Sequence, residues 1–118
     1  MSISKEAVVE KMKDSHVVVL NVLPESDFQK LHIRGSRNIP LTPDQGTFAD
    51  AVEKQFGKER HFILYGANVS SPIAVMAVEA LQKRGFKAEA YLSGLKDWKE
   101  AGLPMDGTKM PKPLRVSG

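Results

Sequence analysis

The 118-residue chain contains no cysteine. It therefore forms no disulfide of its own, carries no thiolate nucleophile and offers no thiolate ligand to a metal ion. Its three histidines, His16, His32 and His61, are too widely spaced along the sequence to suggest a metal site. We accordingly expect neither a metal nor a cofactor.

Long apolar runs are also missing. No stretch approaches the roughly 20 apolar residues that a membrane-spanning helix needs. The first residues, Met1–Glu6, lack the apolar segment of a secretory signal. We therefore expect a cytoplasmic protein that does not bind membranes.

Neither sign of charge dominates the body of the chain. Residues 1–105 carry 14 Lys and Arg against 13 Asp and Glu, which leaves +1, and residues 106–118 carry three against one, which leaves +2. A nearly balanced body offers no broad basic face, so we expect no nucleic-acid partner. We predict a single domain over 1–105, followed by a basic, proline-containing tail over 106–118.

What the sequence does contain is an alternation of strand and helix patterns. His16–Val22 is almost continuously apolar and rich in β-branched residues, which is typical of a strand buried on both faces of a parallel sheet. We predict two further strands over His61–Tyr65 and Ala88–Leu92. Helices are predicted after Ser4 and over Pro24–Lys30, Thr47–Phe56, Pro72–Gly85 and Gly94–Gly102. This order indicates an α/β fold with a mainly parallel sheet.

Three segments together resemble the rhodanese-like family. His32–Pro40 reads H-I-R-G-S-R-N-I-P, close to that family's H-I-x-G-A-x-N-I-P, and Tyr91–Pro104 resembles its closing segment around a tryptophan. The predicted strand, loop and helix of residues 61–84 lie between them, in the family's order. The resemblance covers roughly residues 5–105. It implies a small α/β domain with a five-stranded, mainly parallel sheet flanked by helices.

The resemblance also implies a chemistry. In active family members, one loop carries a cysteine that is followed five residues later by an arginine. The thiolate takes a sulfur atom from a donor, holds it as a persulfide and passes it to an acceptor. Backbone N–H groups of the loop and the following helix stabilise the anionic sulfur.

This chain lacks four polar groups of the family's pattern. Gly66 stands in the place of the cysteine, and Ser71 stands in the place of the arginine. Asn21 and Leu23 replace the aspartate and arginine that commonly end the early strand. Four polar groups from separate segments are thus missing together, which favours a domain that no longer performs persulfide chemistry.

The remaining candidate site is the loop after the central strand. It consists of Gly66, Ala67, Asn68, Val69, Ser70 and Ser71. Converging N–H groups above a helix start bind anions without a charged side chain, so a small anion is one expected ligand. The alternative is a simple connection in which Ser70 or Ser71 caps the helix before Pro72. We do not expect a serine nucleophile, because His61 begins the strand at the far end and no histidine lies near the loop in sequence.

The sequence therefore favours a rhodanese-like domain that is inactive as a sulfurtransferase and acts as a binding or regulatory module. Its expected partner is a small anion or another protein. The alternatives are an enzyme with different chemistry in the same site and an altered form of a thiosulfate-type sulfurtransferase. The changes at Asn21, Leu23 and Ser71 weigh against the altered form, because replacing one cysteine would not explain them.

Overall fold

Helices and strands alternate through most of the chain, as the sequence predicts. The computed structural model describes residues 2–109. The elements are α1 (Lys5–Lys11), β1 (Val17–Asn21), α2 (Glu25–Lys30), β2 (His32–Ile33), β3 (Arg37–Asn38), α3 (Gln45–Phe56), β4 (His61–Tyr65), α4 (Ile73–Gln82), β5 (Lys87–Tyr91), α5 (Gly94–Glu100) and β6 (Met105–Asp106). None of the helices within residues 2–109 has the length and apolar character that crossing a bilayer requires.

Four parallel strands form the main sheet, in the order β3-β1-β4-β5. The fold class is confirmed, but the sheet has one full strand fewer than the five that the resemblance implies. The fifth position is occupied only by Ser2, which bridges Ala90 in parallel while the Ile3 N–H donates to the Ala90 carbonyl at 3.0 Å. Helix α1 begins at Lys5, so little extended chain is left for pairing between Ser2 and that helix.

Two apolar layers cover the two faces of the sheet. One layer includes Phe48 of α3, Ala77 of α4 and Phe62 of β4, all fully buried. The other includes Val8 of α1 and Trp98 of α5, which are also buried. Since helices protect both faces, the loops at the carboxyl ends of the strands are the natural place for a site.

Capping side chains set the starts of two helices. The Ser4 hydroxyl accepts the Ala7 N–H, as expected for the N-cap of α1. Helix α3 begins at Gln45, two residues before the predicted start, because Asp44 caps it by accepting the Gly46 N–H at 3.0 Å. The Thr47 hydroxyl also donates to this carboxylate, and these bonds lower the pKa of Asp44.

The chain after α5 remains in contact with the domain for several residues. Strand β6 pairs antiparallel with β2, and Arg34 forms an ion pair with Asp106. The N–H groups of Thr108 and Lys109 donate to carbonyls of α2. The first residues of the predicted tail therefore contact the domain, and residues 110–118 of that tail lie outside the described residues.

Candidate functional site

The loop at residues 66–71 follows the last residue of β4, near the centre of the sheet. Gly66 is buried and Ala67 and Asn68 are half-buried, whereas Val69 at the loop's tip is 71% exposed. Helix α4 begins two residues after Ser71. The loop thus occupies the strand-to-helix junction that the sequence predicts.

The side chain of Ile73 fills the space beside Gly66. A Cβ atom placed on Gly66 would lie 2.9 Å from Ile73 Cγ1 and 3.1 Å from Ile73 Cδ1. The first distance is shorter than real Cβ contacts, and Cγ1 belongs to a β-branched side chain with few allowed rotamers in a helix. A side chain at position 66 therefore requires Ile73 to move.

Asn68 organises the second half of the loop. Its side-chain oxygen accepts the Ser70 N–H at 2.9 Å, and its carbonyl accepts the Ser71 N–H at 3.1 Å. The Ser71 hydroxyl lies 3.5 Å from the Ile73 nitrogen, so it is at most a weak cap for α4. The two amides nearest the helix are thus already bonded to protein atoms. No acceptor within residues 2–109 takes the N–H of Ala67, Asn68 or Val69.

The first half of the loop is bonded to the start of α5. The Leu95 N–H donates to the Gly66 carbonyl at 3.0 Å, and the Lys96 N–H donates to the Ala67 carbonyl at 2.9 Å. Gly94 makes this approach possible, because it has a φ of +67° and a Cβ on it would lie 2.7 Å from the Gly66 oxygen. The loop therefore supplies acceptors to α5 and is held against it.

A buried hydrogen-bond network lies directly behind the loop. The Tyr65 hydroxyl accepts from the Asn21 side-chain amide at 3.1 Å and from the Ile33 N–H at 3.0 Å. Because the Ser36 hydroxyl donates to the Ile33 carbonyl, it accepts the Tyr65 proton at 2.8 Å. The Asn21 side-chain oxygen accepts the Leu23 N–H. Burial raises the pKa of Tyr65, and Asn21 has a structural role.

A shallow depression beside the loop carries charges of both signs. Helix α5 contributes Lys96, Asp97 and Glu100 to its lining. Lys96 lies 4.0 Å from Glu100, and Asp97 accepts the Tyr91 hydroxyl at 2.6 Å. Burial and then this bond raise the pKa of Tyr91. The Lys5 ammonium group also lies 3.7 Å from Asp97, so each carboxylate of the depression has one ammonium partner. No surplus positive charge is left there for a strongly anionic ligand.

His61 lies away from the loop. His61 begins β4, so it is about 16 Å from the loop by strand length, and its ring is 2.6 Å from the Glu89 carboxylate. His32 stacks on Phe28 and bonds the Phe28 carbonyl. Within residues 2–109, no cluster of three or more His, Cys, Asp or Glu side chains could hold a metal ion.

Sequence reasoning missed two residues that decide the geometry of this site. Ile73 appears in the sequence only as an apolar helix residue, and nothing local indicates that it covers position 66. Asn68 carried a usable signal, because an asparagine side chain in a tight loop readily accepts the N–H two residues later.

The chain matches the family model described as the Rhodanese-like domain over residues 4–101. It therefore belongs to the rhodanese-like family, and the predicted family is confirmed. The HTH-type transcriptional regulator Rv0324 of Mycobacterium tuberculosis is 26% identical over 105 residues, which is 89% of this chain and 44% of the regulator. The chain thus spans less than half the length of this curated relative.

Solved structures agree on the fold. The BH2092 protein from Bacillus halodurans has a TM-score of 0.80 at 18% identity, with 98% of this chain and 85% of that one covered. An uncharacterized protein from Saccharomyces cerevisiae has a TM-score of 0.71 at 26% identity, covering 86% and 92%. The Rhodanese_3 like domain of the Alr3790 protein from Anabaena sp. has a TM-score of 0.67 at 26% identity, covering 77% and 92%.

Proposed function

We propose that this rhodanese-like domain does not transfer sulfur and acts as a binding or regulatory module. The observation that carries the proposal is the filled space at position 66. The chain has no cysteine, and the volume that a side chain would need there is occupied by Ile73. The position that carries the thiol in active family members is therefore closed to a side chain unless Ile73 moves.

The surrounding electrostatics support the same proposal. Ser71 supplies no positive charge where an active family member would carry its arginine. Asn21 carries an amide instead of a carboxylate, and its side chain is fully buried and bonds Tyr65. Leu23 is buried and apolar where the family commonly has an arginine. A persulfide anion in this loop would find no charged group to stabilise it, only the N–H groups of Ala67, Asn68 and Val69.

A regulatory role fits the one curated relative described above. That relative is named a transcriptional regulator, and this chain aligns with 44% of its length. We propose that the domain serves a comparable regulatory protein by binding a protein partner over the loop. Val69, at 71% exposure, lies at the loop's tip, where such a partner would contact it.

Weak anion binding at residues 66–71 is the second candidate. It is favoured by the N–H groups of Ala67, Asn68 and Val69, which no acceptor within residues 2–109 takes. It is opposed by Asn68 itself, whose oxygens occupy the amides of Ser70 and Ser71. We expect any such binding to be weak for this reason.

The test combines a rate assay with a titration. Purified protein is assayed for sulfur transfer from thiosulfate to cyanide, and we expect no rate above the protein-free blank. Turnover well above the blank would refute the proposal. In parallel, sulfate is added while the amide signals of Ala67–Ser71 are followed by NMR. Saturable shifts at low millimolar sulfate or below would favour the anion site over the protein partner.

A further inference from the structure

One edge of β1 is left open over half of its length. β4 pairs with β1 along the whole of Val17–Asn21, whereas β3 pairs only with Leu20 and Asn21. Within residues 2–109, no strand covers the outer edge of Val17–Val19. The Val17 N–H already donates to the Asp14 carbonyl at 3.0 Å, and Val18 directs its backbone groups toward β4. The Val17 carbonyl and the Val19 N–H are therefore the groups with which another extended segment can pair.

A groove runs along this open edge. Besides Val17–Val19, its lining includes the apolar side chains of Met12 and Phe56 and the charged side chains of Arg37 and Arg60. Its volume is about 230 Å³. The groove therefore brings together backbone hydrogen-bonding groups of β1, apolar side chains and two arginine side chains.

The two arginines have no carboxylate partner in the described chain. Arg37 is exposed, with its guanidinium 5.5 Å from the centre of the Phe56 ring. Arg60 donates to the Ser15 carbonyl at 2.7 Å. Among residues 2–109 no carboxylate lies within 4.0 Å of either guanidinium, and no acidic residue lines the groove. The unbalanced positive charge favours an anionic partner.

We propose that this groove binds an extended, acidic segment of a partner protein, which adds a short strand beside Val17–Val19. The backbone of the segment pairs with β1, as in other cases of strand addition. Its carboxylates pair with Arg37, which lies over Phe56, and with Arg60. Its apolar side chains alternate to the other face of the added strand and contact Met12. The site is separate from the loop at 66–71, because Arg60 precedes the start of β4 and the loop follows its end.

The probe is a fluorescein-labelled, end-capped peptide of six residues that alternates valine and glutamate. The matched control peptide alternates valine and lysine. Fluorescence anisotropy measures affinity, and NMR amide shifts locate the bound peptide. We expect the acidic peptide to shift the amides of Val17–Val19, to bind more weakly as salt is raised, and to bind far better than the lysine peptide.

Charge reversal tests the role of the arginines. We expect Arg37→Glu with Arg60→Glu to weaken the acidic peptide about tenfold or more and to strengthen binding of the lysine peptide. A matched control, Lys83→Glu with Lys99→Glu, changes the net charge equally elsewhere and should alter affinity less than about twofold. Arg37→Gln alone leaves the Arg60–Ser15 bond intact and should still weaken the acidic peptide.

Several results would overturn the proposal. They include no binding of the acidic peptide, equal binding of the lysine peptide, and amide shifts at Ala67–Ser71 instead of β1. Self-association of the chain in sedimentation, lost in the Arg37→Glu, Arg60→Glu variant, would assign the groove to a second copy of the protein. A free phosphate ion that matched the peptide's affinity would likewise show that strand pairing is not needed.

Discussion

The loop after β4 and the two signature segments, His32–Pro40 and Tyr91–Pro104, differ in what their side chains do. In the signature segments, the polar atoms of His32, Asn38 and Trp98 each bond a main-chain carbonyl, at 2.7, 2.9 and 2.8 Å. These side chains hold the fold together, and they match the family's pattern. The part of the family's pattern that this chain keeps therefore has a structural role.

In the loop after β4, the positions that differ from the family's pattern are those that serve its chemistry. The family's cysteine and arginine would serve chemistry, and in this chain Gly66 and Ser71 stand in their places. The loop keeps its contacts with α5 through main-chain carbonyls, which any residue can supply. This chain therefore keeps the family's residues that hold the fold together and lacks the two that serve sulfur chemistry in active members.

Trp98→Ala should have the largest effect on the signature segments. The side chain is 2% exposed, packs edge-to-face on Tyr91 and donates to the Pro104 carbonyl. We expect the free energy of unfolding to fall by about 3–5 kcal/mol, as for other buried aromatic truncations. Urea denaturation measures the loss, and Lys99→Ala on the exposed side of the same helix serves as the control. A loss of unfolding free energy no larger than that of Lys99→Ala would show that this signature residue does not hold the fold together.

Tyr65→Phe tests the network behind the loop. The change leaves the buried amide of Asn21, the Ile33 N–H and the Ser36 hydroxyl without the Tyr65 oxygen. We expect a loss of about 3 kcal/mol in the free energy of unfolding, because buried polar groups without partners are costly. Tyr91→Phe removes a hydroxyl with one bond and should cost less; equal losses would contradict the account.

Gly94→Ala tests the attachment of the loop to α5. A Cβ at this position would lie 2.7 Å from the Gly66 oxygen, and the backbone has a φ of +67°. Gly102→Ala is a matched control, because the φ of Gly102 is +72° but a Cβ placed on it would meet no atom of another described residue, apart from its chain neighbours, within 4 Å. We expect the control to cost about 1 kcal/mol of stability and Gly94→Ala to cost about 2 kcal/mol or more. Amide shifts confined to the loop would accompany the larger loss, and equal losses would show that the loop does not depend on this contact.

Alkaline pH should give the smallest effect. Burial raises the pKa of Tyr65, and burial together with the bond to Asp97 raises the pKa of Tyr91. In the unfolded chain both hydroxyls ionise near pH 10. The unfolded state then binds fewer protons than the folded state. The contribution of these two tyrosines to stability should therefore be constant below this pH and fall above it. The free energy of unfolding is measured by denaturation from about pH 8 to about pH 11. It should fall less steeply with pH in Tyr91→Phe than in the unchanged protein. An equal slope would contradict the raised pKa of Tyr91.

The sequence predicts the fold well because its signals are local. Apolar runs predict β1 and β4 to within a residue, and the predicted strand Ala88–Leu92 begins and ends one residue later than β5. Ser4 is the predicted cap of α1. The start of α3 was placed two residues late because Asp44, an ordinary loop residue by pattern, forms the cap. Short β6 was missed because its partner, β2, is distant in the sequence.

The candidate site was predicted only in outline. The position of the loop and the lost groups could be read from the sequence. The contact of Ile73 with position 66 depends on how the first turn of α4 is oriented, and no sequence pattern encodes that orientation. The docking of the Gly66 and Ala67 carbonyls on α5 likewise joins segments nearly 30 residues apart.

The most direct test of the central claim is to return a cysteine to position 66 and measure sulfur transfer from thiosulfate to cyanide. Gly66→Cys is compared with Gly66→Cys, Ile73→Ala, Ser71→Arg, after thermal unfolding has shown that both variants are folded. We predict that the single variant stays at the blank rate, because Ile73 crowds the new side chain and no arginine is present, and that the triple variant is faster. Rapid transfer by Gly66→Cys alone would contradict the account, since it would show a site that lacks only its thiol.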